Sequence, residues 1–247
     1  MNNYLKNRKI LEDGNVYSKS MEHDACGVGL IASTEGKKSR RVVEYGISAL
    51  KAVFHRGAVD ADGKTGDGAG IHLEIPYDFF AEKIEITGHK HDGSEICVGM
   101  IFMPRNNYEA QENSRTLVES ELTKSNFSIY GWRQVPVNPK VLGEKANLTR
   151  PEITQVLFKH NEKNLTGKEL ERKLYETRRK IENKAIKNQI EGLYISSLSS
   201  KSIIYKGMFL AESIADFYVD LKDEKFISRF VIFHQRFSTN TAPSWDL

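Results

Sequence analysis

Apolar residues along this chain recur with two periods. Every second position predicts a half-buried strand, and every third or fourth predicts an amphipathic helix. "CGVGLIAS" from Cys26 reads as a buried strand whose glycines allow close backbone approach. "SRRVVEYGISALKAVFHRG" puts Val42, Val43, Ile47, Leu50, Val53 and Phe54 at helical spacing, with Gly57 expected as the closing cap. "DADGKTGDGAG" is dense in Gly and Asp and reads as a loop, with "GDGAG" (66–70) as a tight turn. "AGIHLEIP" alternates like a strand, and "ICVGMIFMP" is an apolar strand stopped by Pro104. "YEAQENSRTLVESELTKSN" follows as a helix, then "FSIYGWRQVPV" and "PEITQVLFKH" as strands. The longest helix is "TGKELERKLYETRRKIENKAIKN", begun by Thr166 with Glu169 at capping-box spacing and a charged, solvated face. "GLYISSLSSKSIIYKGM" looks like a hairpin, "IADFYVDLKDEKFISRF" like short helix and loop, and "VIFHQRFSTNT" like a strand entering a loop. Strands in adjacent pairs, with helices gathered between them, favour an α+β protein over a parallel βαβ one.

Composition narrows this little. The 247 residues carry 39% hydrophobic and 28% charged side chains, enough for a core within one domain. The 36 basic and 33 acidic residues are spread along the chain, so the net charge of +3 argues against a nucleic-acid partner. The first 25 residues are polar, with little periodicity and no signal-peptide core, and read as a leader that packs weakly. No window is long and apolar enough to span a membrane, and two cysteines make no disulfide framework. A reducing, cytoplasmic setting is expected. The two "NLT" sequons, at Asn147 and Asn164, would need a secretory route.

The chemistry centres on Cys26. One reading is a buried strand thiol. The other is a nucleophile unmasked by cleavage between Ala25 and Cys26. The freed α-amine, with a pKa of about 7.7–8, would take the thiol proton, so that one residue supplies both nucleophile and base. These residues alone leave both open. Elsewhere the commonplace readings are favoured. His89, His91 and Asp92 sit in a polar, Gly-flanked loop and read as a solvated turn, with no metal site assigned. "GDGAG" lacks the Lys-Ser/Thr of a phosphate loop. Cys97 reads as core, and His55 and His234 as scaffold beside Arg56 and Arg236.

Five segments in order change the balance at Cys26: "HDACGVG", "HRGAVDADGKTGDGAGI", "GWRQVPVN", "LYISSLSSKSIIYKGM" and "RFSTNTAPSWDL". Together they resemble the class II glutamine amidotransferases, which are N-terminal-nucleophile hydrolases, and most of all the amidotransferase domain of glutamate synthase large subunits. The likeness runs from about residue 20 to 247. It implies a four-layer αββα sandwich, a leader at 1–25 and an amidotransferase domain at 26–247. Cys26 would attack the side-chain amide of L-glutamine. Arg236 would hold the α-carboxylate bidentately, with Thr239 assisting. Arg56 and Gly57 would shape the loop that orients the new N-terminus.

The resemblance also implies an Asn-Gly oxyanion hole and an aspartate for the substrate α-amine beyond Leu247. The fold is therefore expected to be incomplete at its C-terminus, and these residues alone a poor catalyst. The parent enzyme would pass ammonia to 2-oxoglutarate using FMN and an iron–sulfur cluster outside these residues. Its partners would be the remaining synthase domains and a small flavoprotein subunit or ferredoxin. Two other readings compete: a different N-terminal-nucleophile amidotransferase or amidase, and a non-catalytic interaction or regulatory domain.

Overall fold

The computed structural model describes residues 2–14, 26–162, 164–238 and 241–246. In chain order these form α1 (Asn2–Asp13), β1 (Gly27–Ala32), α2 (Arg40–Ala52), β2 (Thr65–Glu74), α3 (Tyr77–Ile86), β3 (Cys97–Met103), α4 (Tyr108–Lys124) and β4 (Phe127–Gln134). There follow α5 (Glu144–Leu148), β5 (Glu152–His160), α6 (Gly167–Lys187), β6 (Tyr194–Ser199), β7 (Ser202–Phe209), α7 (Ile214–Phe217) and β8 (Phe230–Gln235). Two antiparallel four-stranded sheets result, ordered β1-β8-β2-β7 and β4-β5-β3-β6. The fold is α+β, as expected.

Strand β3 shows why its segment is apolar throughout. Val98, Met100 and Phe102 join the larger core, shared with the first sheet, α2 and α3. Cys97, Ile101 and Met103 point the other way, into a second core under α4 and α6. With both faces covered, alternation disappears from the sequence. Helix α6 meets this second core through Leu170, Leu174 and Ile181. Its outer face carries the ion pairs Arg172–Glu176 and Arg178–Glu182. Helix α2 starts at Ser39, whose hydroxyl accepts from the Val42 amide. It packs so closely on the first sheet that a Cβ at Gly46 would lie 2.5 Å from Val231.

The first sheet is two-faced. Ala69, Ile71, Leu73, Ile203, Tyr205, Val231 and Phe233 turn into the larger core. The opposite face leaves Val28 67%, Leu30 60% and Ile232 39% exposed. A polar cluster lies inside the larger core. Arg133 Nη1 and Nη2 donate to the Asp220 carboxylate at 2.9 Å, and Gln155 and the Tyr205 hydroxyl complete the cluster at 2.7 and 3.1 Å. It ties β4 and β5 of one sheet to β7 of the other.

Several local expectations are corrected. β6 and β7 do not pair with each other: β6 pairs with β3 and β7 with β2, so the chain turns at Ser200–Lys201 from one sheet into the other. Glu171 accepts from the Ser200 amide and hydroxyl and fixes that corner. "GDGAG" is not a tight turn. It lies within β2 as an irregular stretch between Thr65 and Ala69, with Gly68 at φ 135°. Gly57 does not cap α2: the helix closes at Val53, a 3₁₀ turn covers Phe54–Arg56, and Gly57 is extended. Thr166 occupies the N-cap of α6 but its side chain makes no capping bond, because Gly167 is at φ 60° and turns the chain there. Within the expected leader, α1 leaves Leu5, Ile10 and Leu11 exposed, and residues 15–25 lie outside the described residues. Helices α3 and α5 are additional to the elements expected above.

Candidate active site

Cys26 immediately precedes β1, whose pairing with β8 runs from Gly27↔Gln235 to Ala32↔Phe230. A Cβ on Gly27 would sit 3.0 Å from Arg56 Cβ and 3.2 Å from Val53, on the α2 side. Alternation therefore puts Cys26 and Val28 on the opposite, open face. Its thiol meets the backbone just beyond β8. The Phe237 amide donates to Sγ at 3.4 Å, and the thiol faces the Phe237 carbonyl oxygen at 3.7 Å. Residues 211 positions apart are thus joined at the end of one strand pair.

Arg236 is the neighbour of that contact. Its amide donates to the Gly68 carbonyl at 2.8 Å, and its Nη2 donates to Thr241 Oγ1 at 2.5 Å. Nη1 is buried and has no hydrogen-bond partner among the described residues. A buried guanidinium N–H in want of an acceptor is a ready place for a carboxylate. The Ser238 amide donates to Asp67 Oδ2 at 2.5 Å, which braces the segment against β2. Thr239, the other expected carboxylate contact, lies outside the described residues.

Arg56 and Gly57 reach the site from behind. Arg56 is exposed, at the end of the 3₁₀ turn beside Gly27. A Cβ on Gly57 would fall 2.1 Å from Gln235 Nε2, so the absence of a side chain there admits Gln235. That amide in turn donates to the carbonyls of Gly68 and Arg236 at 3.3 and 3.4 Å. The structure therefore gathers Cys26, Arg56, Gly57 and Arg236 around the start of β1 and the end of β8.

Next to Arg236, on the open face, is a cavity of about 410 Å³ lined by Gly68, Gly70, His72, Lys206, His234 and Trp245, among others. Lys206 was absent from the residues singled out by sequence. It falls within "LYISSLSSKSIIYKGM", but only the β2–β7 register shows where it points.

The remaining candidates are structural. Cys97 is fully buried, and burial pushes its thiol well up. Asp92 pairs with Lys159 and accepts from Tyr130 at 3.2 Å, while His91 contacts Tyr77 and the Ser94 carbonyl. Among the described residues no group of three or more His, Cys, Asp and Glu side chains could hold a metal ion. An iron–sulfur cluster takes about four thiolates. The sequence has two cysteines, and they lie far apart, at the start of β1 and in β3. The residues present do not fit such a cluster, and "GDGAG", lying inside a strand, is no flavin phosphate loop. No helix described is long and apolar enough to cross a membrane.

Comparison with known proteins identifies the family of the chain. The family described as glutamine amidotransferases class-II matches residues 26–247, beginning at Cys26. The glutamate synthase [NADPH] large chain of Azospirillum brasilense is 53% identical over 244 residues, 99% of this chain and 16% of that relative. Ferredoxin-dependent glutamate synthase 2 of Synechocystis is 40% identical over 227 residues, covering 92% of this chain and 14% of that one. The glutamate synthase [NADPH] large chain of Bacillus subtilis is 36% identical over 235 residues, 94% and 15% respectively. The chain thus spans about one sixth of the length of these relatives.

Proposed function

Because this chain belongs to the class II glutamine amidotransferases, an enzyme family with the N-terminal-nucleophile hydrolase fold, we propose that its site splits L-glutamine into glutamate and ammonia. It does so as the amidotransferase part of a glutamate synthase, which is what the named relatives are. The observation that carries this reading is the meeting of Cys26 Sγ with the Phe237 backbone, one residue from a guanidinium whose buried Nη1 wants an acceptor.

In this reading residues 1–25 are a leader and the domain runs from Cys26. With the leader gone, the Cys26 α-amine takes the thiol proton, and sulfur attacks the amide carbon of glutamine. The tetrahedral adduct collapses to a thioester as the ammonium returns its proton to the departing ammonia. Water, deprotonated by the same amine, then adds to the thioester. Glutamate leaves and the thiol is restored. Arg236 holds the α-carboxylate, with Thr239 assisting, and so fixes the distance from carboxylate to sulfur. Arg56 and Gly57 shape the wall behind the new N-terminus. The ammonia goes to 2-oxoglutarate in other synthase domains, where FMN and an iron–sulfur cluster act. Electrons come from a small flavoprotein subunit or ferredoxin, and the protein works in the cytoplasm.

The test is the intact mass of the full-length protein, followed by a diazo-ketone analogue of glutamine. The expected result is loss of residues 1–25 and a single label on Cys26. Glutamine hydrolysis by a protein that keeps its leader and an unreactive Cys26 would sink the mechanism.

A further inference from the structure

Lys206 shares the open face of the first sheet with the proposed glutamine site. Strand register sets Val28, His234, Gly70 and Lys206 side by side in one row. Arg236 and Gly68 lie one row further along the same face, joined by the Arg236 amide. The two central positions of this patch, on β2, are glycines, so a trough runs between Arg236 and His234 on one side and Lys206 on the other. A Cβ at Gly70 would approach Lys206 Cβ to 2.9 Å and begin to fill it. The trough is the floor of the 410 Å³ cavity, and Trp245 and Ser244 form a wall.

The Lys206 ammonium is held in place. It donates to the Tyr194 hydroxyl at 2.9 Å and lies 4.4 Å from the centre of that ring. Burial brings it down to about 8; Arg236 and Arg178 act in the same direction, and the Asp246 carboxylate acts against them. Lys206 and Arg236 both line the cavity, and two cations there disfavour each other until an anion enters between them. Sheet order sets Cys26 on the β1 side of Arg236 and Lys206 on the far side. An amide at Cys26 and a carboxylate at Arg236 therefore bring the α-end of the substrate toward Lys206.

We propose that Lys206 is a second cation for the α-carboxylate of glutamine, opposing Arg236 across the Gly68–Gly70 trough. This rests on the glutaminase reading above. Lys206 touches only the end of the substrate that stays unchanged, so its contribution is to binding, with little effect on the chemical step.

The experiment uses the full-length protein and the Lys206→Met and Lys206→Arg variants. For Lys206→Met the KM for glutamine rises about 10- to 100-fold, the usual effect of losing a hydrogen bond to a charged group, while kcat changes less than about two-fold. The inhibition constant of 4-aminobutanamide, which is glutamine without its α-carboxylate, stays within about two-fold of wild type, because it lacks the group that Lys206 binds. Lys206→Arg recovers most of the lost affinity. An unchanged KM in Lys206→Met overturns the proposal. So does a rise in the 4-aminobutanamide constant parallel to that in KM, which marks a role in packing. Absence of Cys26-dependent glutamine hydrolysis in the wild-type protein refutes the glutaminase reading itself, and this inference with it.

Discussion

Replacing Gly57 by Ala isolates one close approach behind the proposed nucleophile. The backbone is no obstacle, since Gly57 is extended at φ −115° and ψ 155°, a region open to any residue. The obstacle is Gln235, whose Nε2 and Cδ would lie 2.1 and 2.6 Å from the new methyl carbon. Gln235 is 1% exposed and cannot swing into solvent. It must give up its bonds to the Gly68 and Arg236 carbonyls, worth about 1 kcal/mol together given their length. It must also crowd its neighbours, at about 1–3 kcal/mol. The sum is about 2–4 kcal/mol, or a fall in Tm of about 5–15 °C for a domain of this size. The assay is thermal unfolding of Gly57→Ala, Gln235→Ala and the double variant. With Gln235 already shortened, adding Gly57→Ala should cost less than about 0.5 kcal/mol. Labelling of Cys26 by the diazo-ketone should slow in Gly57→Ala and recover in part in the double variant. An equal loss of stability in both backgrounds would refute the steric reasoning, as would a Tm for Gly57→Ala within about 1 °C of wild type.

Other outcomes follow from the same geometry. Asp220→Ala leaves the Arg133 guanidinium and the Tyr205 hydroxyl without their carboxylate between the sheets, and should cost about 3–5 kcal/mol in urea unfolding. Arg236→Lys cannot grip a carboxylate with two parallel bonds, so KM for glutamine should rise about ten-fold or more; steady-state kinetics at fixed pH check this. Burial lowers the pKa of His72, so the fold resists its protonation. The associated stability is present above the unfolded value of about 6.5 and lost as pH falls through the lower folded value. His72→Gln should therefore lose less stability than wild type between pH 7 and pH 5, measured by urea midpoints.

Much of this was legible in the sequence where one face of an element decides its pattern. Val42, Val43, Ile47 and Leu50 mark the buried side of α2 because a single surface accepts them. Gly57 was noticed, but for the wrong reason: its need comes from Gln235, which is 178 residues away and invisible to a local cap rule. The "TGDGAG" stretch carries turn residues, yet β8 and β7 pair on either side of its second half and hold it in β2. Local propensity yields there to two neighbouring ladders. The β6–β7 segment has a hairpin's spacing. Its partners β3 and β2 lie in different sheets, and no short window encodes that choice. Helix α3 does leave a signal, in Phe79, Phe80 and Ile84 behind Pro76, but that signal is only three residues in a ten-residue helix and follows directly on the strand-like "AGIHLEIP". Lys206 could not be placed by sequence at all, because its meaning depends on two glycines on another strand.

Among the described residues the rungs of β1 begin at Gly27, directly after the sulfur-bearing residue, and β8 is its one ladder partner. The bond proposed to be cut, just before Cys26, thus sits outside that ladder. Cutting it breaks none of those rungs, so a maturation step of the proposed kind would leave the β1–β8 pairing as it stands.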